Sequence, residues 1–212
     1  MKINEEWLQI DGAAGAIELI VENPGTPRGI ALICHPHPLF GGSNTNKVVQ
    51  TLARTFNHLG YVALRPNFRG VGNSAGEHDD GNGEVDDMLT ALAEASRQYG
   101  NLPVALAGFS FGAYVQARVA LRLSDSGHPA QRLVLIGTAA GHVDGARQYS
   151  TGAVANDSIV IHGSADTTVP LANVLAWAEP LELPVIVIPG ADHFFHRRLH
   201  IIRDIITRAW RH

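Results

Sequence analysis

The chain has 212 residues, 45% hydrophobic and 17% charged, with a formal net charge of −4. That fits one globular domain over residues 1–212 whose core buries about 70% of the surface an unfolded chain exposes. The only lysines are Lys2 and Lys47 and the arginines are scattered, so no basic stripe points to nucleic acid or to an anionic membrane. No apolar run nears the ~18 residues of a membrane helix. The acidic start Met-Lys-Ile-Asn-Glu-Glu does not read as a signal peptide. One cysteine, Cys34, excludes an internal disulfide and fits a reducing, cytoplasmic setting.

Residues 5–22 read as two strands around the Asp11-Gly12 turn. Gly29 to Cys34 is a buried strand, stopped by the prolines of His35-Pro36-His37-Pro38. Val48, Val49, Leu52, Phe56 and Leu59 recur at helical spacing, opened by Ser43 or Asn44 and closed by Gly60. Tyr61 to Leu64 is a strand, residues 69–83 form a Gly-rich loop, and Val85, Met88, Leu89 and Leu92 mark a helix stopping near Gly100. A strand over Val104 to Ala107 leads into an apolar helix from Ala113 to Leu123. Further strands are expected over Leu133 to Ile136, Ile159 to Ile161 and Val185 to Ile188. Pro170 sits at a first helical position, and a last helix buries Phe195, Leu199, Ile202 and Ile206. Strands alternating with helices predict a mostly parallel sheet covered on both faces, with an antiparallel hairpin at its start.

The chemistry centres on Gly108-Phe109-Ser110-Phe111-Gly112, between a strand and a helix. A serine at such a turn is lifted above the sheet, with the helix N-terminus behind it to favour a developing oxyanion. A serine hydroxyl needs a base, and the base needs an orienting group. Asp166 lies in the loop after one later strand and His193 in the loop after the next. Loops at the carboxyl ends of parallel strands share one crevice, so Ser110, Asp166 and His193 can converge, in the chain order Ser…Asp…His.

Gly-Phe-Ser-Phe-Gly, His162-Gly163-Ser164-Ala165-Asp166-Thr167-Thr168-Val169-Pro170 and Gly190-Ala191-Asp192-His193-Phe194-Phe195 resemble the motifs of α/β-hydrolases. The loop His35-Pro36-His37-Pro38-Leu39-Phe40-Gly41-Gly42 is most similar to that of small, lidless bacterial serine hydrolases. Asn67-Phe68-Arg69-Gly70-Val71-Gly72-Asn73-Ser74 and Gly81-x-Gly83-Glu84-x-x-Asp87 extend the match over roughly residues 29–196. The resemblance implies an eight-stranded mixed sheet, no cofactor, and hydrolysis of esters or related acyl compounds. The interval Ala139 to Asp157 is too short for a helical cap. The oxyanion hole is expected to pair the Phe111 N–H with a first-loop donor. Pro36 and Pro38 have none, which leaves His37, the favoured choice, and Leu39. Phe40, Phe111, Phe194 and Phe195 would line a shallow acyl pocket. The expected enzyme is a carboxylesterase on small acyl esters, with a thioesterase, a peptidase or an idle scaffold as alternatives. Self-association into a homo-oligomer stays open.

Other features have plainer readings. Asp192 is a rival acid, but it adjoins His193 and would tend to point elsewhere. Asp166 could cap the helix ahead of Pro170, although Thr167 or Thr168 could do so instead. Cys34 closes a buried strand with no activating elbow. His193, His196 and His200 have helical metal spacing but lack the accompanying glutamate, so no metal is expected. Asp79, Asp80, Asn82, Glu84 and Asp86 faintly resemble a calcium loop without its terminal glutamate, and read as acids at a helix start. Gly70-x-Gly72-x-x-Ala75 mimics a nucleotide fingerprint, but no helix starts at the glycines. Arg69 reads as a structural ion pair.

Overall fold

The computed structural model describes residues 3–143 and 147–210. The chain opens with a hairpin, β1 (Asn4–Gly12) and β2 (Gly15–Asn23), around the expected turn. It continues through β3 (Gly29–Cys34), α1 (Lys47–His58), β4 (Tyr61–Pro66) and α2 (Asn82–Tyr99). Next come β5 (Val104–Phe109), α3 (Phe111–Asp125) and β6 (Arg132–Ile136), then two short strands, β7 (Gly141–His142) and β8 (Gln148–Tyr149). The chain closes with β9 (Ile159–Gly163), α4 (Leu171–Ala178), β10 (Val185–Ile188) and α5 (Leu199–Ala209).

Eight strands form one sheet in the order β1-β2-β4-β3-β5-β6-β9-β10. The pairings of β1 with β2 and of β2 with β4 are antiparallel, and the other five are parallel. Side chains of the central strands alternate between two cores, as the two-residue period of a strand requires. Ile30, Leu32, Cys34 and Leu106 pack under α2, α3 and α4, whereas Ala31, Ile33, Ala107 and Phe109 pack under α1 and α5. Among the described residues no helix is long and apolar enough to cross a membrane.

Several local expectations need correction. The cap of α1 is Asn46, whose Oδ1 accepts the Val48 N–H at 2.9 Å. Asn44 instead ties two loops together, its N–H donating to Asn67 Oδ1 at 2.8 Å and its carbonyl accepting from Arg65 at 2.7 Å. Pro170 is the residue before α4 rather than its first, with ψ of 133°. Phe195 precedes α5, although it is fully buried with Ile202 and Ile206. The short pair β7 and β8 was unforeseen, since two residues carry no readable alternation. Arg69 does form the expected ion pair, gripping Asp87 through two 2.9 Å hydrogen bonds. Glu84 does lie at the start of α2, in its first turn, where it is wholly buried and accepts from the N–H groups of Asp79 and Gly81.

Two contacts lock the first loop in place. The His35 imidazole, fully buried, accepts the Phe68 N–H on Nε2 at 2.9 Å and donates from Nδ1 to the Pro36 carbonyl at 2.6 Å. That pairing requires a neutral ring, and burial pushes its pKa from 6.5 down to about 4. A base whose pKa is depressed by folding is protonated more readily when unfolded, so its contribution is present above the unfolded pKa and lost as pH falls. The denaturation midpoint is therefore expected to drop progressively from pH ~6.5 to ~4, recovering in part in a His35→Gln variant. Urea titrations at successive pH values check this; a flat midpoint over that window would show that His35 is not held neutral.

Candidate active site

Ser110 occupies the turn between β5 and α3 with φ 56° and ψ −119°, a conformation that strains any residue bearing a side chain. The flanking glycines make that turn feasible. A Cβ on Gly112 would lie 2.4 Å from the Cys34 carbonyl oxygen, and one on Gly108 2.2 Å from that of Gly112. The start of α3 therefore seats directly against the end of β3, placing Ser110 beside the first loop.

His193 and Asp166 arrive from the loops after β10 and β9. His193 Nε2 lies 3.0 Å from Ser110 Oγ, and His193 Nδ1 lies 2.7 Å from Asp166 Oδ2. Since the carboxylate can only accept, Nδ1 carries the proton and Nε2 faces the serine hydroxyl as an acceptor. The Phe109 ring, 4.9 Å away and tilted by 36°, supports the imidazole from below. All three residues are buried, with Ser110 8% exposed. The other oxygen of Asp166 accepts the N–H groups of Thr168 at 2.9 Å and Val169 at 2.8 Å. Asp166 thus both shapes its own turn and orients His193; neither threonine replaces it. Asp192 faces away, bonded to His196 Nδ1 at 2.6 Å and to the His196 N–H at 3.0 Å, which holds its carboxyl below the usual range.

A fourth residue, not singled out from the sequence, joins this set. His162 is fully buried at the end of β9, with Nε2 2.9 Å from the Val169 carbonyl and 3.4 Å from Asp166 Oδ2. Burial lowers its pKa, so the ring is neutral with its single proton on Nε2, and its Nδ1 has no partner among the described residues. The readable signal was a histidine closing an otherwise apolar strand four residues before the acid.

The two first-loop candidates separate. The Leu39 N–H is already engaged, donating to His37 Nδ1 at 3.3 Å. Among the described residues the N–H groups of His37 and Phe111 find no acceptor, which leaves this pair for a ligand. The His37 ring packs 4.9 Å from Phe111, 5.0 Å from Phe40 and 4.6 Å from His78. Burial, with His78 and Arg147 nearby, pushes its pKa down to about 4, so it stays neutral and able to accept from Leu39.

Of the aromatic residues expected to line a pocket, Phe40 and Phe194 are exposed, at 67% and 47%. Phe111 is buried between His37 and the rings of Tyr114 and Tyr149. Phe195 does not line the crevice: its backbone turns through φ 53° and sends the side chain into the core under α5. Between β6 and β9 the described residues hold only β7 and β8, with no helical cap; residues 144–146 lie outside the described residues.

A serine on the turn after β5, hydrogen-bonded to a histidine and an aspartate from the loops after β10 and β9 of such a sheet, is the arrangement of an α/β-hydrolase. The chain belongs to the family described as serine aminopeptidase, S33, which it matches over residues 25–159, and it is a serine hydrolase of the α/β type. It is 36% identical to an α/β serine hydrolase homologue from Coxiella burnetii, with a TM-score of 0.86 over 100% of this chain and 99% of that one. An α/β serine hydrolase without lid from Xanthomonas campestris is also 36% identical, with a TM-score of 0.81 over 99% of this chain and 94% of that one. An uncharacterized protein of Rickettsia prowazekii is 34% identical over 203 residues, 89% of this chain and 81% of that one.

Proposed function

We propose that the protein is a serine esterase that cleaves small carboxylic esters through an acyl-enzyme on Ser110. The observation that carries this reading is the unbroken hydrogen-bonded line Ser110–His193–Asp166, ending beside two unclaimed backbone N–H groups. In this reading His193 Nε2 takes the Ser110 proton as Oγ attacks the acyl carbon, while the N–H groups of Phe111 and His37 receive the oxyanion. Collapse breaks the acyl–oxygen bond, and His193 hands its proton to the departing alcohol. Water, deprotonated by the same imidazole, then releases the acid and restores Ser110.

The surroundings favour an ester over a peptide with a free amino end. An ammonium group beside the scissile bond would need an acid, yet the carboxylates nearest His193 are engaged. Asp166 holds His193 and Asp192 holds His196. The buried, lone Cys34, whose thiol burial pushes its pKa up, fits a cytoplasmic setting and takes no part in the chemistry.

Labelling with a fluorophosphonate, followed by mass spectrometry, should place one adduct on Ser110. Parallel kinetics on an oxygen ester, a thioester and an anilide sharing one acyl group decide the bond class. A higher kcat/KM for the anilide would replace this reading with a peptidase. Acyl length gives a further expected result. With Leu39, Phe40 and Phe194 lying exposed at its edges, the crevice covers little of a long chain, and each methylene adds ~0.8 kcal/mol only where it is buried. Across p-nitrophenyl esters, kcat/KM should peak at about two to six carbons. A steady rise to twelve would show a long apolar pocket instead.

A further inference from the structure

In acyl transfer the atom that departs must meet His193 Nε2, because that nitrogen carries the proton it needs. The leaving group therefore lies on the His193 side of Ser110, away from the N–H groups of Phe111 and His37. Next to His193 on that side stands Phe194, its ring 5.2 Å from the imidazole and set edge-on to it. Phe194 forms one wall of a groove of about 700 Å³, whose other walls are the start of α1 and the loop leading into α5. A groove of this size holds a small organic group.

It carries two cations. Lys47 and Arg197 line it from two separate elements, and among the described residues neither has an acid within ion-pairing distance. Elsewhere Arg65, Arg69, Arg97, Arg122, Arg132 and Arg203 are ion-paired, whereas Arg54, Arg118, Arg198 and Arg208, like the two groove cations, have no ion pair among the described residues. The groove also includes His196, which is bonded to Asp192, so that carboxylate is turned toward an imidazole. The backbone explains how the loop presents these groups. Left-handed turns at Phe195 (φ 53°) and Arg197 (φ 61°) bury Phe195 and leave Phe194, His196 and Arg197 outside. Such turns are strained in non-glycine residues and persist only where the surroundings enforce them.

We propose that this groove is the leaving-group subsite and that it selects an alcohol bearing a phosphate. The inference rests on the esterase reading above and specifies its substrate class. A phosphate dianion matches two cations, and Phe194 covers the short apolar spacer between it and the ester oxygen. The bond changes are those of ester cleavage: Ser110 Oγ bonds to the acyl carbon, the acyl–oxygen bond breaks, and the serine proton passes through His193 to the departing oxygen. The phosphate itself is not attacked.

The test compares three butyrate esters, of ethylene glycol, of ethylene glycol monophosphate, and of a carboxylate-bearing analogue of equal length. At low salt, kcat/KM for the phosphorylated ester should exceed that for the neutral one on the order of tenfold, and ~0.5 M salt should largely erase the gap. Lys47→Gln with Arg197→Asn should bring the ratio toward one. Both positions are exposed, asparagine tolerates the left-handed turn, and a ratio within one variant is insensitive to partial loss of folded enzyme. Equal rates on the neutral and phosphorylated esters in the native protein would overturn the inference and leave the esterase standing. An equal preference for the carboxylate would overturn the phosphate assignment. Hydrolysis of none of the three would end both readings.

Discussion

Ser110→Ala is expected to lower kcat/KM for p-nitrophenyl butyrate by on the order of 10⁴–10⁶ while the protein stays folded. The change removes one oxygen, the atom 3.0 Å from His193 Nε2, and leaves every backbone hydrogen bond of the turn in place, including that from the Ser110 N–H to the Ile136 carbonyl. The strained φ of 56° is set by the packing of Gly108 and Gly112, so alanine inherits it with little change in stability. What survives is a pair of N–H groups that can bind a carbonyl with no nucleophile beside it, which accounts for a small residual rate. Steady-state kinetics with an unfolding curve on the same preparation check both halves. Activity within tenfold of the native protein would remove Ser110 from the nucleophile role.

The elements were legible wherever burial imposes a period. The runs Gly29–Cys34 and Ile159–Ile161 could only be strands covered on both faces, and α1 declared itself through Val48, Leu52 and Phe56. The serine turn was legible because its glycines answer a steric demand: contacts of 2.4 Å and 2.2 Å leave no room for a Cβ. Three things were not. Whether Ser43, Asn44 or Asn46 caps α1 depends on which side chain is drawn off by Asn67, a long-range contact invisible in a local window. Phe195 reads as an aromatic beside the site, and only the left-handed turns around it decide that it faces the core while Phe194 faces the groove. His162 reads as an ordinary end of a strand, because its significance lies in a carboxylate that returns through a turn to meet it. Local chemistry and packing period can be read in one dimension; the direction of a side chain in an irregular loop cannot.

Asp166→Asn separates orientation of the base from the architecture of its loop. The amide oxygen can keep the position of Oδ1, accepting the N–H groups of Thr168 and Val169, so the turn before α4 is retained. The amide nitrogen then replaces Oδ2, where it meets two donors, His193 Nδ1–H at 2.7 Å and His162 Nε2–H at 3.4 Å. Facing N–H donors repel, because none of them offers a lone pair to accept the others' protons. His162 keeps its proton because the Val169 carbonyl accepts it, so His193 yields and moves its proton to Nε2. That tautomer points a donor at Ser110 Oγ and cannot take the serine proton. The expected loss is therefore about 10⁴ in kcat with KM nearly unchanged, the size seen when a serine-hydrolase base is locked in the wrong tautomer. Asp166→Ala should in addition lower the melting temperature, since it strips the turn of its two acceptor contacts. Asp192→Asn, altering a carboxylate that faces His196, should stay within a few-fold of the native rate. A deep loss there together with a mild effect at Asp166 would transfer the role of the acid to Asp192.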